Sequence, residues 1–167
     1  MSLSADQIEQ FERQGYLIVN GILTDREVEE FLADQAEVSP HAGLGLRRHT
    51  ADPGWAHICA HPNVAGTAAQ LCGGKPCVVQ SMYLPKPGNE AAKGIALHQD
   101  AHYLPNDPST LMACWIAMSD TAADNGGLCV VPGSHLRGLY STHQSISDDH
   151  TNWEQDYQMR DRDGREW

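Results

Sequence analysis

Positive charge is scarce in this chain. Lys and Arg number 11 against 22 Asp and Glu, a formal net charge of −11 at pH 7. A surface of that sign repels phosphate polyanions, so neither nucleic acid nor an anionic membrane is expected as a partner. Long apolar runs are missing too: none approaches the ~20 residues that span a bilayer. The opening Met1-Ser2-Leu3-Ser4-Ala5-Asp6 has no basic stretch followed by an apolar one, so no secretory leader is expected. The five cysteines (Cys59, Cys72, Cys77, Cys114, Cys129) are odd in number and contain no Cys-x-x-Cys pair. Settings such as Ala113-Cys114-Trp115 and Leu128-Cys129-Val130 suit free thiols acting as small hydrophobes, and a reducing cytoplasm. Internal repeats and low-complexity tracts are also lacking.

What remains is ordinary globular material. At 167 residues, 41% apolar and 20% charged, the chain has the length of one domain with a single sizeable core. Ser4-Ala5-Asp6-Gln7 is a capping-box pattern opening a helix, with Ile8 and Phe11 on one face and Gly15 as its stop. Tyr16 to Val19 reads as a short buried strand. Thr24-Asp25-Arg26-Glu27 is a second capping box, before Val28, Phe31 and Leu32 at helical spacing. His41 to Trp55 reads as irregular, with a turn at Asp52-Pro53-Gly54, and a third helix is expected from about Pro62 to Leu71, ending at Gly73-Gly74. The pattern then becomes β. Strands are expected over Cys77 to Leu84, Ile95 to His102, Leu111 to Met118 and Leu128 to Val131, with a turn at Asn125-Gly126-Gly127. The expectation is an α+β chain: a helical part over 1–74, a sandwich or barrel part over 75–140, and a polar acidic segment over 141–167. That last segment, with Asp148, Asp149, Glu154, Asp156, Asp161, Asp163 and Glu166, reads as solvated chain rather than a binding device.

The chemistry-bearing motif is His98-Gln99-Asp100. On a strand the side-chain period is two, so His98 and Asp100 project from one face. An imidazole, a carboxylate and one further His form the facial triad that holds non-haem Fe(II) with open positions for cosubstrate and O₂. A bare His-x-Asp is weak by itself, and its context carries the argument. His98-Gln99-Asp100-Ala101-His102-Tyr103, then the strand with Trp115, then Asn125-Gly126-Gly127-Leu128-Cys129-Val130-Val131-Pro132-Gly133-Ser134-His135 run in the order of a known family. Together with Phe11-Glu12-Arg13-Gln14-Gly15-Tyr16-Leu17-Ile18-Val19 they resemble the phytanoyl-CoA dioxygenase family over roughly residues 7 to 140.

The resemblance implies a double-stranded β-helix (a cupin-like jelly-roll barrel) that uses Fe(II), 2-oxoglutarate and O₂ to hydroxylate an aliphatic carbon of a small organic substrate. His98 and Asp100 match the first two iron ligands. Met82 and Trp115 match positions lining the 2-oxoglutarate pocket, and Arg47 or Arg48, with Arg48 the choice, falls near a basic residue that reaches the cosubstrate. Lys86 and Lys93 are loop candidates only. The resemblance also implies hydroxylation rather than halogenation, because related halogenases replace the carboxylate of Asp100 with a small residue.

In the family a distal His and then an Arg for the far carboxylate of 2-oxoglutarate follow on later strands, and this chain ends at Trp167 before they are due. About four strands are visible where a closed roll needs eight. The expectation is a shortened or incompletely recorded member, or one whose missing edges a second chain supplies, and an unfinished barrel favours a homo-oligomer. No other histidine is expected to substitute. His135 matches a histidine that is not a ligand in relatives, His143 and His150 read as solvent-exposed, and His102 reads as facing the substrate entrance or a neighbouring strand. His41, His49, His57 and His61 lack ligand spacing. Two other functions remain open from the sequence: a non-catalytic remnant of this fold that binds a ligand or partner, and a metal-binding cupin of different chemistry.

Overall fold

The structure is a computed structural model, and it describes residues 1–37, 47–84, 97–122, 124–145 and 156–160. Among the described residues the N-terminal half contains the helices α1 (Ala5–Gln14), α2 (Asp25–Glu37), α3 (Pro53–Ala60) and α4 (Pro62–Cys72). Both expected capping boxes form. The Ser4 N–H donates to Gln7 Oε1 at 2.9 Å and the Gln7 N–H to Ser4 Oγ at 3.2 Å. The Thr24 N–H donates to Glu27 Oε2 at 2.7 Å and the Glu27 N–H to Thr24 Oγ1 at 3.3 Å. Each reciprocal pair satisfies two N–H groups that a helix start leaves orphaned. Gly15 ends α1 at φ 79° and Gly73 ends α4 at φ 65°, left-handed conformations that cost glycine least.

Helix α3 corrects the sequence reading of His41 to Trp55 as irregular up to its end. Asp52-Pro53-Gly54 is a helix start, not a free turn: Asp52 Oδ1 accepts from the Trp55 N–H at 3.1 Å, and Pro53 occupies the first turn, where its missing N–H costs nothing. Pro62 then forces His61 out of helical geometry (φ −54°, ψ 131°), which separates α3 from α4.

The chain divides into two compact units. The first comprises Met1–Glu9, Ile18–Lys86 and Ala113–Asp120, the second Gln10–Leu17, Pro87–Met112 and Thr121–Trp167. In the first unit Phe31, Trp55 and Ile58 form a buried cluster, with Leu23, Cys59, Tyr83, Ile116 and Met118 packed around it. The rings meet edge to face, Phe31 and Trp55 at 5.2 Å and 84°, Phe31 and Tyr83 at 5.9 Å and 83°. This is the arrangement that ring quadrupoles favour. The buried Trp55 indole donates to Gln35 Oε1 at 3.0 Å, so the core aromatic carries no unsatisfied N–H. Gln70 of α4 accepts from the Leu3 N–H at 2.9 Å and fastens the N-terminal residues onto α4.

In the second unit the Pro132-Gly133-Ser134-His135 segment caps α1. The Gly133 N–H donates to Gln14 O at 2.8 Å, and His135 Nε2 donates to Glu12 O at 2.9 Å. Strands β1 (Ser141–Ser145) and β2 (Asp156–Arg160) pair antiparallel, with His143 opposite Gln158. This ladder falls where the sequence suggested only a polar segment, and it moves His143 from loose chain onto a strand.

It is also the only ladder among the described residues. The segments read as strands at 16–19, 77–84, 111–118 and 128–131 carry neither helix nor ladder. A strand is defined by its neighbour, and no backbone bond between described residues supplies one there. Apolar side chains on these segments consequently stay exposed, among them Val79, Leu128 and Val130.

Candidate metal centre

The chain reaches the centre in the second unit through Leu97 and His98. Gln99 is extended (φ −115°, ψ 122°), and a 3₁₀ turn over Asp100–His102 follows at once. His102 N–H donates to Gln99 O at 3.0 Å, and the N–H groups of Tyr103 and Leu104 both donate to Asp100 O at 2.9 Å. One extended residue between His98 and Asp100 directs both side chains to one side. His98 Nε2 lies 3.2 Å from Asp100 Oδ1, with the two side chains 34% and 51% exposed. The pair is therefore close together and reachable from solvent.

The local backbone differs from the strand expected over Ile95 to His102, whose first two residues lie outside the described set. The strand period stops at Gln99. His102 therefore belongs to the turn, and it does not share a strand face with the pair. Its Nε2 is enclosed and has no hydrogen-bond partner among the described residues. Tyr103 stands edge-on to His98, with ring centroids 6.0 Å apart at 76°. Neither feature was visible in a period-two pattern, because both depend on the turn.

Arg47, Arg48, Met82 and Trp115 lie in the first unit. Arg48 opens a 3₁₀ turn over Arg48–Thr50 and donates from Nη1 to Gln35 Oε1 at 3.0 Å. Gln35 is thus shared: its oxygen takes both Trp55 and Arg48, while its Nε2 donates to Asp52 Oδ2 at 3.3 Å. Arg47 sits at φ 66° and is exposed. Met82 and Trp115 are 40% and 50% exposed. Beside Met82, the buried Ser81 hydroxyl lies 2.8 Å from His49 Nδ1 and accepts from the His49 N–H at 3.1 Å. That pairing links two segments distant in sequence and left no mark in either one. Lys86, Lys93 and His150 lie outside the described residues.

The donor set fits a metal ion. Two neighbouring ligands on an octahedral ion with bonds of roughly 2.1 Å are about 3.0 Å apart, close to the separation found here. Imidazole nitrogen with one carboxylate oxygen suits a first-row metal such as Fe(II) better than Mg²⁺ or Ca²⁺, which prefer all-oxygen shells. No group of three such side chains that could hold a metal occurs among the described residues.

Comparison with known proteins decides the family. The profile described as phytanoyl-CoA dioxygenase matches residues 11–166. The chain belongs to the phytanoyl-CoA dioxygenase family. The chain is 37% identical to mouse phytanoyl-CoA dioxygenase domain-containing protein 1 over 97 residues, which covers 58% of this chain and 33% of that protein. It is 28% identical to an ectoine dioxygenase of Bordetella bronchiseptica over 155 residues, covering 80% and 50%. Rat peroxisomal phytanoyl-CoA dioxygenase is 27% identical over 181 aligned positions, covering 91% and 52%. The chain thus spans about half the length of these last two relatives and a third of the first. No solved structure gave a significant match. Two of these relatives are named as dioxygenases, and the motif order read from the sequence agrees with the family it predicted.

Proposed function

We infer that this chain carries the first two metal ligands of an Fe(II)- and 2-oxoglutarate-dependent dioxygenase that hydroxylates an aliphatic carbon of a small organic substrate. The observation that carries this reading is the convergence of His98 Nε2 and Asp100 Oδ1 to 3.2 Å within a family of dioxygenases. His98 would hold the ion through an imidazole lone pair and Asp100 through a carboxylate oxygen, which would offset one of the two metal charges. When bound, Fe(II) supplies O₂ activation coupled to oxidative decarboxylation of 2-oxoglutarate.

The protein's own part is to hold the two donors at metal-binding separation. Tyr103 limits rotation of the His98 ring by packing against it in a T-shaped arrangement. Asp100 fills a coordination position with carboxylate, which supports hydroxylation as the outcome. For 2-oxoglutarate, Arg48, Met82 and Trp115 are proposed on the family resemblance, and the jelly-roll fold rests on that resemblance as well. All five cysteines carry free thiols, which supports a reducing compartment. Among the described residues no helix is long and apolar enough to cross a membrane.

The test is an anaerobic titration of the chain with Fe(II) and 2-oxoglutarate, watching for the weak visible charge-transfer band of a chelated 2-oxo acid. The band is expected in the wild type and absent in His98→Ala. No band in either, with equal metal retention, overturns the assignment.

A further inference from the structure

We propose that Gln99 is a positioning residue for the His98–Asp100 pair: its side-chain amide latches the donor-bearing segment onto the backbone at Gly138 and Tyr140 and so sets metal affinity. This rests on the assignment of His98 and Asp100 as ligands. Gln99 is the one residue between the two donors, and its extended backbone sends its side chain to the opposite side from theirs. There the amide uses both ends. Nε2 donates to Gly138 O at 3.0 Å, and Oε1 accepts from the Tyr140 N–H at 2.8 Å. Bonding to the carbonyl of one residue and the N–H two positions on is the pattern a parallel strand makes with its neighbour, here made about Leu139. A side chain here makes the pair of bonds that a backbone neighbour would make.

The surface receiving the latch is itself held. Tyr140 is 4% exposed, and its hydroxyl donates to Ser134 O at 3.0 Å. Gly138, at φ 78°, closes the Ser134–Arg137 turn, and β1 begins directly after Tyr140. At Gln99 the chain changes from extended to 3₁₀, so rotation at this joint would carry His98 and Asp100 apart. Two bonds from one planar amide fix that joint. Only glutamine has the reach together with one donor and one acceptor: glutamate lacks the donor, and asparagine is a methylene short.

The experiment is a Mn(II) titration of the apo chain, following loss of the free-ion electron paramagnetic resonance signal and broadening of amide resonances at residues 98–100. Wild type, His98→Ala, Gln99→Met and Gln99→Asn are compared, with unfolding midpoint and Tyr140 amide exchange measured in the absence of metal. Gln99→Met is expected to weaken Mn(II) binding by about 10- to 100-fold, as loss of partners behind metal ligands does. Its Tyr140 amide is expected to exchange faster while the unfolding midpoint stays close to wild type. Gln99→Asn is read the same way should Gln99→Met not fold. Mn(II) affinity equal to wild type in the folded Gln99 variants, with binding still lost in His98→Ala, overturns the latch alone. Equal affinity in wild type and His98→Ala overturns the ligand assignment and the latch with it.

Discussion

At the scale of single residues, the positions with the least freedom are those where two demands meet. Gly15 must adopt φ 79°, and any Cβ there would collide with the His135 imidazole that caps α1. Gly15→Ala is therefore expected to cost well over ~1 kcal/mol, the left-handed penalty alone, measured by urea unfolding. Gly15→Ala/His135→Ala should cost less than the sum of the two single changes, because the second removes the obstacle. Strict additivity would remove the steric argument. The thiols differ in the same local way. Burial pushes the Cys59 thiol up, and proximity to Cys114 adds to it, while Cys72 and Cys129 are exposed. Since the thiolate is the nucleophile, Ellman's reagent is expected to modify Cys72 and Cys129 before Cys59. Faster labelling of Cys59 would contradict its place beside the core.

At the scale of elements, helix starts hold the first unit together. The Thr24 N–H, followed by its hydroxyl, holds the Glu27 carboxyl down to about 2 from its ordinary 4.5, and His61 adds to the effect. His61 accepts the Asn63 N–H at Nδ1, so its Nε2 carries the proton and donates to Glu27 Oε1 at 3.0 Å. One glutamate thereby ties the start of α2 to the start of α4. A carboxyl with a lowered folded pKa contributes stability above its unfolded value, and that contribution is lost as pH falls through the folded one. The stability gap between wild type and Glu27→Gln is expected to be constant above pH 5. It should close as pH falls from about 4.5 to about 2, followed by thermal or denaturant unfolding. A gap that persists at pH 2 would rule out the carboxylate as its source. At α3, Asp52→Ala removes the N-cap and a partner of Gln35, and is expected to cost about 1 kcal/mol or more.

The helices were legible because their information is local: Ser4, Thr24, Gly15 and Gly73 act within a turn of themselves. Asp52-Pro53 carried the same kind of local information for α3, since an acidic cap before proline is a helix start as readily as a turn. The strands were less legible. Alternation marks residues that suit a strand, but pairing is made by chain far away, and Val79, Leu128 and Val130 show the pattern with no ladder among the described residues.

At the scale of the whole molecule, apolar side chains left in water need cover. In the second unit Leu128 is 64% exposed and Leu136 68%, and such groups favour association between copies. Sedimentation is expected to show concentration-dependent self-association that Leu128→Asp and Leu136→Asp weaken, each changing monomer stability by no more than about 0.5 kcal/mol. A monomer at all concentrations would refute this. What the sequence determined by itself was whatever short range controls: the helix caps and stops, the free thiols, the acidic balance, and a motif order specific enough to name the family. Tertiary structure alone decided the rest, because it concerns residues that meet only after the chain has turned back on itself. Gln35 gathers Trp55, Arg48 and Asp52, His135 caps a helix more than a hundred residues before it, and Gln99 fastens the His98–Asp100 segment to the backbone at Gly138 and Tyr140.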